Sequence, residues 1–117
     1  MNFNEYQNQA IQTDVAYNAT TKSDRYNGYM EKALGLAGET GEVLEIIKKM
    51  IRDKGGVFET TQEDREKLKK ELGDVLWYLS AIAYYNDIEL EDIAITNLNK
   101  LASRKRRDKI HGGGDNR

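Results

Sequence analysis

The chain of 117 residues contains no cysteine and no proline, and only one histidine and one tryptophan. Without cysteine there is no disulfide and no thiol chemistry. The single histidine, His111, lies in the tail. That sets aside a di-iron carboxylate bundle, which uses Glu-x-x-His on two helices. No run approaches the roughly 18 apolar residues that a membrane span needs. The opening "MNFNEYQNQA" lacks the charged and apolar regions of a signal peptide. The expectation is a soluble, cytoplasmic protein with no membrane partner. The lack of proline makes another feature conspicuous. The stretch "LGLAGETGEVLE", residues 34–45, sets Gly35, Gly38 and Gly41 three apart in a helical pattern, where each glycine costs roughly 1 kcal/mol against alanine.

The length suits a single domain, residues 1–117. Apolar residues make up 38% and charged residues 32%, a mix that fits amphipathic helices with wet outer faces. The net charge of -2 conceals an asymmetry. Residues 1–99 hold 11 Lys/Arg against 18 Asp/Glu, and residues 100–117 hold 7 Lys/Arg against 2 Asp. An acidic body with a basic tail reads either as a nucleic-acid tail or as two halves of one phosphate site.

Helical periodicity appears four times. Phe3, Tyr6, Ala10, Ile11 and Val15 give a first helix from about Asn4 to Ala19, followed by a polar loop at 18–28. Leu36, Val43, Ile46, Ile47 and Met50 give a second, from about Tyr29 to Ile51, ended by "RDKGG". Thr61 and Asp64 form a capping box ahead of a third helix that runs to about Tyr85. "NDIE" is a turn, and the fourth helix spans about Leu90 to Lys105. No strand, repeat or linker is visible. The fold class is all-α, a four-helix bundle.

Two carboxylate pairs carry chemistry. Glu39 and Glu42 on the second helix, and Glu71 and Asp74 on the third, are each three residues apart and so share a helix face. Asp74 stands in "ELGDVLWYLSAIAYY", apolar enough to be core, where an unpaired charge is costly. Opposed pairs from antiparallel helices could hold Mg2+, a hard ion that takes oxygen ligands. A solvated acidic face is the competing explanation.

"ALGLAGETGEVLE" followed by "KKELGDVLWYL" resembles the MazG-like, all-α nucleoside triphosphate pyrophosphohydrolases, whose signature pairs Glu-x-x-Glu with Glu-x-x-Asp. The match falls on Glu39, Glu42, Glu71 and Asp74, with Gly38 where many members carry a further Glu. The resemblance implies hydrolysis of a (d)NTP to the monophosphate and pyrophosphate, for nucleotide-pool clean-up. These four residues would act as catalytic metal ligands for Mg2+, with Mn2+ a substitute. It maps Asn97, Lys100 and Arg104 onto phosphate contacts and gives Tyr78 a phosphate or sugar contact. It also implies a homo-oligomer, a homodimer or homotetramer. Phe3, Tyr6 and Gln9 are candidates for a base pocket, against simple helix packing. Tyr26 and Tyr29 are similar cases, and Trp77 reads as core. The alternatives are a non-catalytic helical module that binds nucleotide or nucleic acid, or a phosphoribosyl-ATP pyrophosphohydrolase-like activity. The acidic body argues against nucleic acid. The glycines are expected to let a neighbouring helix or the triphosphate approach the backbone, with close helix packing sufficient for Gly35 alone.

Overall fold

The computed structural model describes residues 1–55 and 59–116. They form four α-helices, α1 (Phe3–Ala10), α2 (Lys22–Asp53), α3 (Gln62–Tyr85) and α4 (Leu90–Arg106), with a 3-10 turn at Ile11–Thr13 and no strand among the described residues.

Local chemistry sets each start. Asn2 and Glu5 form a capping box on α1, and Thr61 and Asp64 form one on α3. Thr21 caps α2 by accepting from the Asp24 backbone N–H. That cap begins α2 seven residues before the periodicity suggested, inside the stretch read as loop. α4 lacks a side-chain cap of its own. Its first N–H groups, which have no intrahelical partner, are met by α1. Leu90 N–H donates to Gln7 Oε1 at 3.0 Å and Glu91 N–H to Asn4 Oδ1 at 3.1 Å.

α1 is much shorter than the apolar stripe suggested, because Asp14 turns inward. Its backbone is extended (φ -80, ψ 121), and its carboxylate is 3% exposed. Asp14 accepts from Lys32 Nζ at 2.8 Å, from the Tyr85 hydroxyl at 2.7 Å and from Ala16 N–H at 3.2 Å. Burial works to raise the Asp14 pKa, but these bonds outweigh it and hold the carboxyl below its ordinary value. Lys32 is 1% exposed; burial opposes its charge, yet its bonds to Asp14 and Glu31 raise its pKa. Burial first, then the bond to Asp14, pushes the Tyr85 phenol up.

This pair lies in a small core of Ile11, Ala81 and Tyr85, against which Tyr17, Tyr29, Trp77 and Tyr84 pack. The Trp77 indole N–H donates to Thr13 Oγ1 at 2.8 Å and Ala10 O at 3.2 Å, and its ring lies 5.6 Å from Lys32 Nζ. Trp77 is core, as its sequence suggested. α2 and α3 form the long hairpin that carries all four candidate carboxylates. The turn after α3 holds Asp87 at φ 55, a left-handed conformation that Asp tolerates. Gly55 ends α2 at φ 63, and Gly56 of the same pair lies outside the described residues.

Candidate functional site

Antiparallel packing of α2 on α3 sets Glu39 opposite Glu71 and Asp74. One carboxylate oxygen from each of the three lies within 4.8 Å of the others. Partial burial, and then the charges of Asp74, Glu71 and Glu42, raise the pKa of Glu39 above its ordinary value. Glu42 is therefore near enough to repel Glu39, but it is exposed and stands outside the three-oxygen set. An all-oxygen cluster with mutual repulsion suits a hard divalent cation, which would convert the repulsion into attraction.

Asp74 does not sit in a core. It is exposed, and so is Leu72 beside it at 52%. The apolar residues around Asp74 divide between a face packed on α1 and α2 and a face left open in the single chain.

Only one of the three glycines makes room for a neighbour. A Cβ on Gly35 would stand 2.1 Å from Tyr78 Cε1, whereas one on Gly38 or Gly41 would meet nothing within 4 Å. Gly35 thus lets the Tyr78 ring wedge between α2 and α3, where it also meets Trp77 edge-on with centroids 4.8 Å apart. The close approach expected of all three belongs to the helix pair at Gly35.

On the α1 side of Asp74 lies a cavity of about 260 Å³ lined by Phe3, Tyr6, Leu76 and Glu91. Burial, and then the charge of Asp74, raise the Tyr6 pKa above its ordinary value. Gln9 is exposed and takes no part in this cavity. Gln7 is the buried amide of α1; its Nε2 donates to Ile88 O at 2.9 Å and Ser80 O at 3.3 Å.

The cations of α4 are placed differently. Asn97 and Lys100 line a shallow groove of about 360 Å³ with Asp92 and Thr96. Lys100 Nζ meets Asp115 Oδ1 at 3.2 Å. Arg104 is 5% exposed, and its Nη2 donates to Asp115 Oδ1 at 3.1 Å, Asp115 O at 2.9 Å and Gly114 O at 3.2 Å. Bonds from Lys100 and Arg104 hold the Asp115 carboxyl below its ordinary pKa. In the single chain these two cations therefore anchor the glycine-rich tail.

A third groove, about 570 Å³, opens where the second half of α2 faces the first half of α3. Lys49, Lys54, Lys67 and Lys70 line it together with Asp53, Asp64 and Glu71, over Ile46 and Met50. Sequence reasoning passed over Lys67 and Lys70. The signal available was their position four and one residues before Glu71 in "EKLKKELGD".

The chain is 44% identical over 117 residues to the "Gene 37 protein" of Mycobacterium phage L5, covering 100% of both sequences. No solved structure matches it. Residues 29–108 match the MazG nucleotide pyrophosphohydrolase domain, a stretch that holds all four carboxylates. With most of its length in that match, the chain belongs to the MazG nucleotide pyrophosphohydrolase family.

Proposed function

We propose that the protein hydrolyses nucleoside triphosphates between the α- and β-phosphates, releasing a monophosphate and pyrophosphate, and so clears unwanted nucleotides. The observation that carries this reading is the convergence of Glu39, Glu71 and Asp74 within 4.8 Å. Their all-oxygen donor set suits Mg2+, with Mn2+ as a substitute. A divalent ion held there supplies charge that offsets the negative charge developing on the phosphates and acidifies a bound water.

The chain's own residues do the rest. Glu42, exposed and outside the three-oxygen set, is the carboxylate left to accept the proton of the attacking water as its oxygen bonds to the α-phosphorus. The bridging α,β oxygen leaves with pyrophosphate. Tyr78, fixed by Gly35, borders the sugar and phosphates. The cavity of Phe3 and Tyr6 takes the base, where ring stacking is favourable. Lys100 and Arg104 reach phosphate by exchanging the Asp115 carboxylate for a phosphate oxygen, and Asn97 stands in the same groove as Lys100.

The working form is a homo-oligomer. The radius of gyration is 17.5 Å, against roughly 13 Å for a compact chain of this length. Leu34 and Leu98 are 70% and 66% exposed in the single chain, and Leu44 and Leu72 are also open. An apolar surface of that kind marks an association face.

The test is pyrophosphate release from a panel of (d)NTPs, with and without Mg2+, for the wild type and Glu71→Gln. The expected result is metal-dependent release that Glu71→Gln lowers by at least the roughly 10–100-fold typical even of residues behind the ligands. No release from any nucleotide, or release indifferent to Glu71→Gln, overturns the reading.

A further inference from the structure

The tail that covers Lys100 and Arg104 uses only part of what they offer. The Arg104 guanidinium is buried, and its bonds to Asp115 Oδ1, Asp115 O and Gly114 O all run through Nη2. Its Nε is buried as well and has no hydrogen-bond partner among the described residues. An unmade bond on a buried donor is costly, and more so on a charged group. Three acceptors thus crowd one nitrogen while the one beside it has none.

A guanidinium presents its donors as a rigid fork that matches two oxygens of one anion side by side. Asp115 does not engage it that way. It offers the fork a single carboxylate oxygen, Oδ1, which also meets Lys100 Nζ at 3.2 Å. A phosphate has oxygens enough to span Nε and Nη2 together and still meet the ammonium group of Lys100. The site is therefore more complementary to a phosphate than to the carboxylate that fills it.

The occupant is also free to leave. The Asp115 side chain is 82% exposed, so no burial of its own holds it in place. The chain reaches it through Gly112 at φ 120 and Gly114 at φ 81, conformations that glycine adopts without strain and that turn the segment back onto α4. Asp115 lies only 11 residues beyond Arg104. A short tether of that kind keeps its end at an effective concentration on the order of millimolar, so the carboxylate competes with every free anion that approaches.

We infer that residues 112–116 are a built-in competitor for phosphate: Asp115 fills the Lys100/Arg104 site as a stand-in, and a polyphosphate binds by displacing it. The inference rests on the assignment of Lys100 and Arg104 to phosphate in the proposed function, and adds a regulator of that same site. A tail closed about nine-tenths of the time weakens the apparent affinity about tenfold. The protein then responds only to phosphates that outbid its own carboxylate.

The experiment is calorimetric titration of inorganic pyrophosphate into the full chain, with amide exchange of residues 112–116 followed in the same samples. The variants are Asp115→Ala and Asp108→Asn. Asp108 stands at φ 53, which Asn tolerates, and its loss controls for removing one negative charge from the same end of the chain. The expected result is a pyrophosphate Kd lowered at least about fivefold by Asp115→Ala and little changed by Asp108→Asn. In the wild type, saturating pyrophosphate should speed exchange in residues 112–116, because the tail is released. Unchanged or weaker binding in Asp115→Ala, or an equal gain in Asp108→Asn, overturns the competitor. So does slower exchange in residues 112–116 with pyrophosphate bound, which would make the tail a cover that closes on phosphate. The two readings fail separately. Tighter pyrophosphate binding in Asp115→Ala, in a protein that hydrolyses no nucleotide, sinks the enzyme and keeps the competitor. Hydrolysis that depends on Glu71, with nucleotide KM and pyrophosphate Kd unchanged in Asp115→Ala, sinks the competitor and keeps the enzyme.

Discussion

Gly35→Ala is the most direct probe of how the helix pair holds Tyr78. The added Cβ would stand 2.1, 2.5 and 2.7 Å from three atoms of the Tyr78 ring. The ring must retreat by about 1.3 Å to restore the 3.4 Å of ordinary contact. It cannot do so freely, because it packs edge-on against Trp77, itself fixed by hydrogen bonds to Thr13 and Ala10. Overpacking of this kind costs about 1–3 kcal/mol. Alanine regains about 1 kcal/mol of helix propensity over glycine, which masks part of the loss. Gly41→Ala gains the same propensity and meets nothing within 4 Å. The difference between the two variants therefore isolates the steric term, with Gly35→Ala less stable than Gly41→Ala by about 1–3 kcal/mol. Urea unfolding of both variants and wild type measures it. Displacing Tyr78 should also lower kcat/KM in Gly35→Ala and leave it unchanged in a thermally matched surface variant. A stability difference under about 0.5 kcal/mol, smaller than overpacking allows, would refute the wedge.

Three further expectations concern the rest of the molecule. Lys32→Ala strands the Asp14 carboxylate in the core and should cost about 3–5 kcal/mol in urea unfolding, while Lys32→Met/Asp14→Leu should lose less than either single change; additive losses would contradict a coupled pair. Stability should fall at both pH extremes. The Asp14 contribution is present above its ordinary value of 3.8 and is lost as pH drops through the lowered folded pKa. The Lys32 contribution is present below 10.5 and is lost as pH rises through the raised one. Tyr85 adds to the alkaline loss above its ordinary 10.0, because the folded state keeps the proton longer. In Asp14→Asn, urea midpoints across pH should show a shallower acid arm, with the Asp14 share gone. Asp115→Asn leaves one bond of the buried Arg104 guanidinium unmade and should cost about 1–3 kcal/mol, and should speed amide exchange in residues 112–116; unchanged exchange would show that Arg104 does not anchor the tail through that carboxylate.

The hairpin and its carboxylates were legible because their signals are local. Thr61 and Asp64 mark the start of α3, and the three-residue spacing fixes which helix faces carry Glu39, Glu42, Glu71 and Asp74. The start of α2 was missed although Thr21 and Asp24 carry the same capping chemistry. No apolar stripe follows them at once, so the polar composition of 18–28 dominated the reading. The early end of α1 was not legible. Asp14 leaves the helix for Lys32 and Tyr85, 18 and 71 residues away, and no local pattern records such a partner. The setting of Asp74 was misread for a related reason. An apolar run on one helix does not say which of its faces a single chain covers. The engagement of Lys100 and Arg104 with Asp115 was equally hidden, since the tail folds back over α4 without periodicity of its own.

The three bonds of the Gln7 amide have a consequence for the order in which the chain assembles. Its partners Ser80, Ile88 and Leu90 lie 73, 81 and 83 residues further on. Made before its partners, α1 has nothing to dock on until α3 and the following turn have been made. The α2–α3 hairpin closes over a shorter loop at lower entropic cost. The connectivity favours nucleation in that hairpin, with α1 docking later. The carboxylate cluster can thus exist before the aromatic cavity beside it, so on the proposed function a protein caught with α1 undocked should keep its metal ligands and lack the Phe3 and Tyr6 wall of the base cavity.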